Sequence, residues 1–176
     1  MFAVRNATEA DLGRVRDIKV DSWADAYAPL VDATTLKPYL DRGLQLEKLR
    51  ETLALPGVSL LVAEDGARTV VGLALIYTRQ EPEPWLESLH VAPAVRGRGA
   101  GTALMAATAR HLVGLGYTSL RLGVVVGNVR AAEFYDRLGG VMIGEEPANW
   151  GHRVRHWIYR WPVLSGLVAA DAAAAG

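Results

Sequence analysis

A chain of 176 residues that is 51% hydrophobic and 22% charged carries enough apolar material for one ordinary domain with a substantial core. Its 19 basic and 19 acidic residues cancel, which argues against a nucleic-acid partner, and the lack of cysteine excludes disulfides, thiolate metal sites and a cysteine nucleophile. The first residues are charged and no apolar run reaches a membrane span, so the expectation is a cytoplasmic protein with no membrane partner.

"FAVRNAT" opens the chain as an extended segment. Thr8 followed by Asp11 resembles a capping box, and Leu12, Val15 and Ile18 continue at helical spacing to about Ala26, before Pro29. Leu40, Leu44, Leu49 and Leu53 predict a second helical run that Pro56-Gly57 ends. "VSLLVAE" and "TVVGLALIYTR" read as a hairpin around Asp65-Gly66, and the alternating prolines of "EPEP" stop the ladder.

"WLESLHV" is the next strand, and by alternation Glu87 shares a face with Leu89 and Val91. A glycine-rich turn and a helix follow it, closed by Gly114 and Gly116. "SLRLGVVV" reads as a strand. Asn128 then suits a helix N-cap and Gly139-Gly140 the matching end. "GVMIG" and "HRVRHWIYRW" form a last antiparallel pair stopped by Pro162. His152 and His156 are four apart there with no carboxylate close by, so they read as solvated or stacked histidines and no metal site is expected. Residues 1–162 form the expected domain, and 163–176 an alanine-rich tail with a short helix at most. Hairpins alternate with strand–helix–strand units, which predicts an α/β or α+β fold on a mixed sheet.

The turn "VRGRGAG" carries the chemistry. A strand leads into glycines that open a helix whose first amides have no internal partner, and the helix dipole favours an anion there. Arg96 and Arg98 add donors, so the loop suits a pyrophosphate; the plainer alternative is a solvated turn. A dinucleotide fingerprint fails because Thr102 stands where a third glycine or alanine is needed, and no Walker lysine is present.

With Arg96, Gly99 and Gly101 in the pattern Gln/Arg-x-x-Gly-x-Gly/Ala, the turn resembles the acyl-CoA pyrophosphate loop of the GCN5-related N-acetyltransferase (GNAT) family. "LHVAP" resembles the strand and turn before that loop. "GNVRAAEFYDRLGG" resembles the family's later segment through Asn128, Ala132, Phe134, Tyr135 and Gly139, and "VRNATEADL" resembles its opening. The resemblance runs over about residues 2 to 162. It implies a mixed, mostly antiparallel twisted sheet flanked by helices, with two central parallel strands splayed apart around acetyl-CoA.

The same resemblance implies site roles. Backbone at Leu89, His90 and Val91 would hold the pantetheine arm and the thioester carbonyl. Arg96, Gly97, Arg98, Gly99, Ala100, Gly101 and Thr102 would hold the pyrophosphate, mostly through amides. Asn128 would bond the cofactor arm, cap the next helix, or both. Tyr135 would hydrogen-bond the departing thiolate. Glu87 is the expected base, with Glu83, His90 and a water chain as alternatives. Trp23 and Tyr27 are the expected acceptor-site aromatics, with Asp21 near them and Trp150, His152 and Trp157 further along; core packing is their other reading. The acceptor is expected to be a primary amine, on a small molecule or a protein, and a homodimer is expected through "WPVLSGLV". An acyl-CoA-binding sensor on the same fold is the alternative to an enzyme.

Overall fold

The computed structural model describes residues 1–151 and 153–174, the last five of these by backbone alone. Seven strands form one sheet: β1 (Ala3–Asn6), β2 (Val58–Glu64), β3 (Val70–Tyr77), β4 (Trp85–Val91), β5 (Leu120–Val125), β6 (Val141–Pro147) and β7 (Arg155–Trp161). Their order is β1-β2-β3-β4-β5-β7-β6, and every neighbouring pair is antiparallel except β4–β5. Six helices cover it: α1 (Leu12–Tyr27), α2 (Ala33–Leu40), α3 (Arg42–Leu53), α4 (Ala100–Gly114), α5 (Val129–Arg137) and α6 (Ser165–Ala174).

Period-two alternation sorts the strand residues between two cores. Leu61, Ala74, Ile76, Leu86, Leu120, Leu122 and Val124 meet α4, α5 and α6 on one face. Leu60, Val62, Leu73 and Leu75 meet Leu12, Val15, Ile18 and Leu49 of α1 and α3 on the other. Beyond Pro162 the chain still contributes to the first core, for Leu164 and Leu167 are 1% and 2% exposed. Trp161, Leu164 and Leu167 therefore face inward, leaving Val163 as the exposed apolar residue of the segment expected to pair copies.

Two local expectations change. The helical run expected from Leu40 to Leu53 is α3 alone, and Leu40 ends a separate helix α2, because the carboxylates of Asp32 and Asp41 each accept a backbone N–H three residues on, at 2.9 Å from Thr35 and from Leu44. Asp41 is extended, and an N-cap in that conformation cannot also continue the helix before it. Alternation along β4 also fails at Glu87. Leu86 pairs with Ile76 and Ser88 with Leu75, so Glu87 is the extra residue of a β-bulge. Leu89 and Val91 pack into the α4 core, whereas Glu87 sits within electrostatic reach of Lys19, Tyr27, Tyr39 and Tyr77 on the α1–α2 side.

Candidate active site

The sheet opens in its middle. β4 and β5 share a single rung, Trp85 opposite Arg121, with Arg121 N–H donating to Pro84 C=O at 3.0 Å. After that rung the parallel strands diverge, and a cleft of about 870 Å³ runs between them. It is lined by β4, β5, the glycine turn, α1 and α5.

At the open end lies the turn. Gly97 and Gly99 take φ of +76° and +94°, a region in which a side chain is strained. Gly99 is the N-cap of α4, and its carbonyl accepts from Ala103 N–H at 3.0 Å, so the amides of Ala100, Gly101 and Thr102 precede the first intrahelical bond. Gly101 lies under Phe134 of α5; a Cβ there would come within 3.1 Å of the ring. Gly97, Gly99, Ala100, Gly101 and Thr102 all line the cleft. The amides, the dipole and the missing side chains fit a pyrophosphate and a slender arm running between the strands.

The two arginines part company. Arg98 is exposed and outside the cleft lining. Arg96 turns back instead of outward: Nε donates to Val91 C=O at 3.0 Å, Nη2 to Ser22 Oγ at 3.2 Å, and Nη1 pairs with Asp25. Asp25 also meets Arg130 of α5 at 3.3 Å, and these cations hold its carboxyl below the usual carboxylate range. Arg96 thus fixes the end of β4 and ties the turn to α1.

His90 is buried in the same network. Trp23 Nε1–H donates to its Nε2 at 3.2 Å, so the neutral ring carries its proton on Nδ1 and gives it to Ser22 Oγ at 3.0 Å. Burial, aided by Lys19 and Arg96, pushes its pKa down to about 3. A ring with both nitrogens engaged and its charged form disfavoured by burial is poorly placed to act as a general base. Glu83 is no better placed. Arg160 grips both its oxygens at 2.5 to 3.0 Å and holds it ionised below its ordinary range.

Glu87 keeps the qualities a base needs. Its carboxylate opens to the cleft with one hydrogen bond, from Trp85 Nε1 at 2.9 Å. Although the residue is exposed, desolvation by the surrounding cleft walls raises its pKa, against that bond and the charge of Lys19. Across the cleft Tyr135 is 7% exposed among Phe134, Tyr159 and Trp161, and burial, then Tyr27, raises its pKa far above the ordinary phenol value. Among the described residues no hydrogen bond engages its hydroxyl. Asn128 spends its Oδ1 on the α5 cap, accepting from Ala131 N–H at 3.3 Å, and keeps its amide N–H₂ for the cleft it lines.

The aromatics expected for an acceptor do gather, with others the sequence did not single out. Trp23 stacks on Tyr39 at 4.5 Å, Tyr27 meets Trp23 edge-on at 4.9 Å, and Trp150 touches all three. Trp23 itself is 8% exposed and belongs to the core; Tyr27, with its pKa pushed up to about 12 by burial and Glu87, is the half-buried member. Asp21 faces away in an ion pair with Arg42, and Trp157 lies in the core on the far side of the sheet. His152 lies outside the described residues. Trp150 Nε1 donates to His156 Nε2 at 3.2 Å, repeating across the gap the bond between Trp23 and His90. Tyr39, Arg121 and His156 went unrecognised as site residues because what brings them to the cleft is tertiary: Tyr39 donates to Trp150 C=O 111 positions away, Arg121 faces Trp85 across the β4–β5 seam, and His156 lies against Gly123 of the neighbouring strand. Only strand alternation on β5 and β7 pointed to the last two.

Comparison with known proteins agrees with this geometry. Residues 19–140 match the model of the Acetyltransferase (GNAT) family. An uncharacterized N-acetyltransferase of Mycobacterium bovis is 29% identical over 114 residues, 65% of this chain and 72% of that protein. A GCN5-related N-acetyltransferase from Kribbella flavida superposes with a TM-score of 0.68 at 25% identity, over 92% of this chain and 98% of that one. The spermidine N-acetyltransferase of Vibrio cholerae, solved with CoA and spermine, gives 0.72 at 17% identity over 95% and 98%. Among the described residues no helix is long and apolar enough to cross a membrane. The chain belongs to the Acetyltransferase (GNAT) family and is an acyl-CoA-dependent N-acyltransferase with acetyl-CoA as cosubstrate.

Proposed function

We propose that the chain transfers acetyl to a small-molecule primary amine by direct attack within a ternary complex. The observation that carries this reading is the single β4–β5 rung. It leaves a slot with the glycine turn at its open end and Glu87 beside its apex, on the α1 side. Acetyl-CoA supplies an acyl group activated as a thioester.

The residues divide the work. Amides of Gly97 to Thr102 hold the pyrophosphate, with Arg98 serving through its backbone and Arg96 as the brace of the turn. Backbone groups of Leu89, His90 and Val91 hold the pantetheine arm and the developing oxyanion, which a fixed N–H stabilises without reorganisation. Asn128 Nδ2 adds a donor to the arm. An alkylamine of ordinary pKa about 10.4 arrives protonated, so Glu87 takes its proton, directly or through water, and the nitrogen gives up its second proton to the leaving thiolate or to water as the C–S bond breaks. Tyr135 donates a hydrogen bond to the leaving thiolate. A thiol at about 8.5 and a phenol at about 10 already make full proton transfer uphill by about 2 kcal/mol, and burial of Tyr135 raises the cost, so the hydroxyl stays a donor. Tyr27 and the Trp23 cluster wall the acceptor side.

Calorimetric titration with acetyl-CoA, followed by a thiol assay of CoA release across a panel of amines, tests the reading. Saturable one-to-one binding with amine-dependent release supports it. Binding without release to any amine would make the protein a sensor instead. For the expected homodimer, the support is β6, an edge strand exposing Val141, Met142 and Ile143. Light scattering at micromolar concentration decides between dimer and monomer.

A further inference from the structure

We propose that the acceptor carries a carboxylate as well as its amine, and that the carboxylate binds in a notch beside Gly123, between Arg121 and His156. This rests on the acetyltransferase reading and names the substrate class of the same site.

The notch follows from strand alternation. Leu120, Leu122 and Val124 fill the α4-side core, so Arg121, Gly123 and Val125 face the acceptor side. His156, the register partner of Val125, leans across Gly123, where a Cβ would lie 2.5 Å from its Nδ1. Glycine is therefore what lets the imidazole lie there.

Both flanking groups are donors short of acceptors. The Trp150 indole can only donate, so His156 Nε2 is the acceptor and the neutral ring carries its proton on Nδ1. That N–H has no partner among the described residues. Arg121 has a side chain 17% exposed, and its Nε is buried without a partner among the described residues. Among the described residues its side chain makes one hydrogen bond, from Nη2 to Glu146 at 3.3 Å, and the Glu146 side chain is 58% exposed. Such a rim pair is worth little and gives way readily. The other nearby carboxylate, Glu83, is already gripped by Arg160. Arg121, Gly123 and His156 all line the cleft that holds Glu87.

Spacing completes the assignment. Arg121 is the register partner of Trp85, whose indole N–H holds Glu87. A carboxylate on Arg121 and His156 thus lies beside the residue that receives the amine proton. An amino acid, with the two groups on one small frame, meets both; a guanidinium binds its carboxylate through paired donors.

The test is CoA release with the proteinogenic L-amino acids, their carboxamides, their decarboxylated amines and spermidine, using wild type, Arg121→Gln and Glu146→Gln. Acetyl-CoA calorimetry runs on each preparation. We expect at least one amino acid to exceed its amide and its decarboxylated amine in kcat/KM by about tenfold or more. Arg121→Gln should erase that preference through KM while binding acetyl-CoA normally. Glu146→Gln, freeing Arg121 of its competitor, should lower KM for the amino acid a few-fold. Spermidine or a decarboxylated amine used as well as any amino acid overturns the carboxylate assignment alone, whereas acetyl-CoA binding with no transfer to the panel overturns it together with the transfer reading and leaves a sensor. Failure to bind acetyl-CoA removes the acetyltransferase reading and the notch with it.

Discussion

Desolvation in the cleft presses Glu87 and Tyr135 toward their neutral forms, with opposite consequences for catalysis. In the proposed mechanism the carboxylate is the working form of Glu87, so activity should rise with pH through a pKa above the ordinary carboxylate value of about 4.3. In Glu87→Gln that acid limb should vanish, with kcat lower by about 10²-fold. In the same mechanism the neutral phenol is the working form of Tyr135, and a raised pKa keeps it protonated throughout an assay range. Tyr135→Phe should lower kcat by about 10-fold to 100-fold, leave acetyl-CoA affinity unchanged and add no new limb to the pH profile. Equal turnover by Tyr135→Phe would return the residue to a packing role beside Phe134. Both residues were named from the sequence, Tyr135 through the family resemblance and Glu87 through its strand, but the engagement of both His90 ring nitrogens was not legible there. It depends on Ser22 and Trp23, 68 and 67 positions away.

Elements whose geometry is dictated locally were the readable ones. Asn128 caps α5 and Gly139 follows it with φ +77°; Gly116, at φ +88°, follows α4. These are properties of a few consecutive residues. The bulge at Glu87 was hidden, because it exists only in the register between β4 and β3. That one extra residue moves Glu87 off the face of Leu89 and Val91 and into the acceptor side, where a base is useful. The turn ahead of α4 permits a direct test. Gly99→Ala forces a Cβ into φ +94°, at a cost of about 1–2 kcal/mol. Part of that cost should appear as acetyl-CoA affinity weakened about 10-fold by calorimetry, with the far-ultraviolet circular dichroism unchanged.

For the whole molecule, composition and element order gave the mixed sheet and family resemblance its splayed parallel pair, while the full strand order came from the structure. The chain end was read least well. Its alanines suggested fraying, yet Leu164 and Leu167 sit in the principal core beside α4. Truncation after Pro162 should therefore lower the melting temperature by several degrees or more, and Leu164→Ala alone should cost about 2–5 kcal/mol in a denaturant titration.

The two tryptophan–histidine bonds have a practical outcome. Beyond Trp85 and Arg121 no backbone rung joins the halves of the sheet across the β4–β5 seam, but Trp23 holds His90 on one bank, Trp150 holds His156 on the other, and the two indoles touch at 4.8 Å. Any ligand that spreads or narrows the seam must change the surroundings of this indole pair. The protein therefore carries its own optical gauge: tryptophan emission, followed in a stopped-flow instrument, should report the order in which cosubstrate and acceptor arrive.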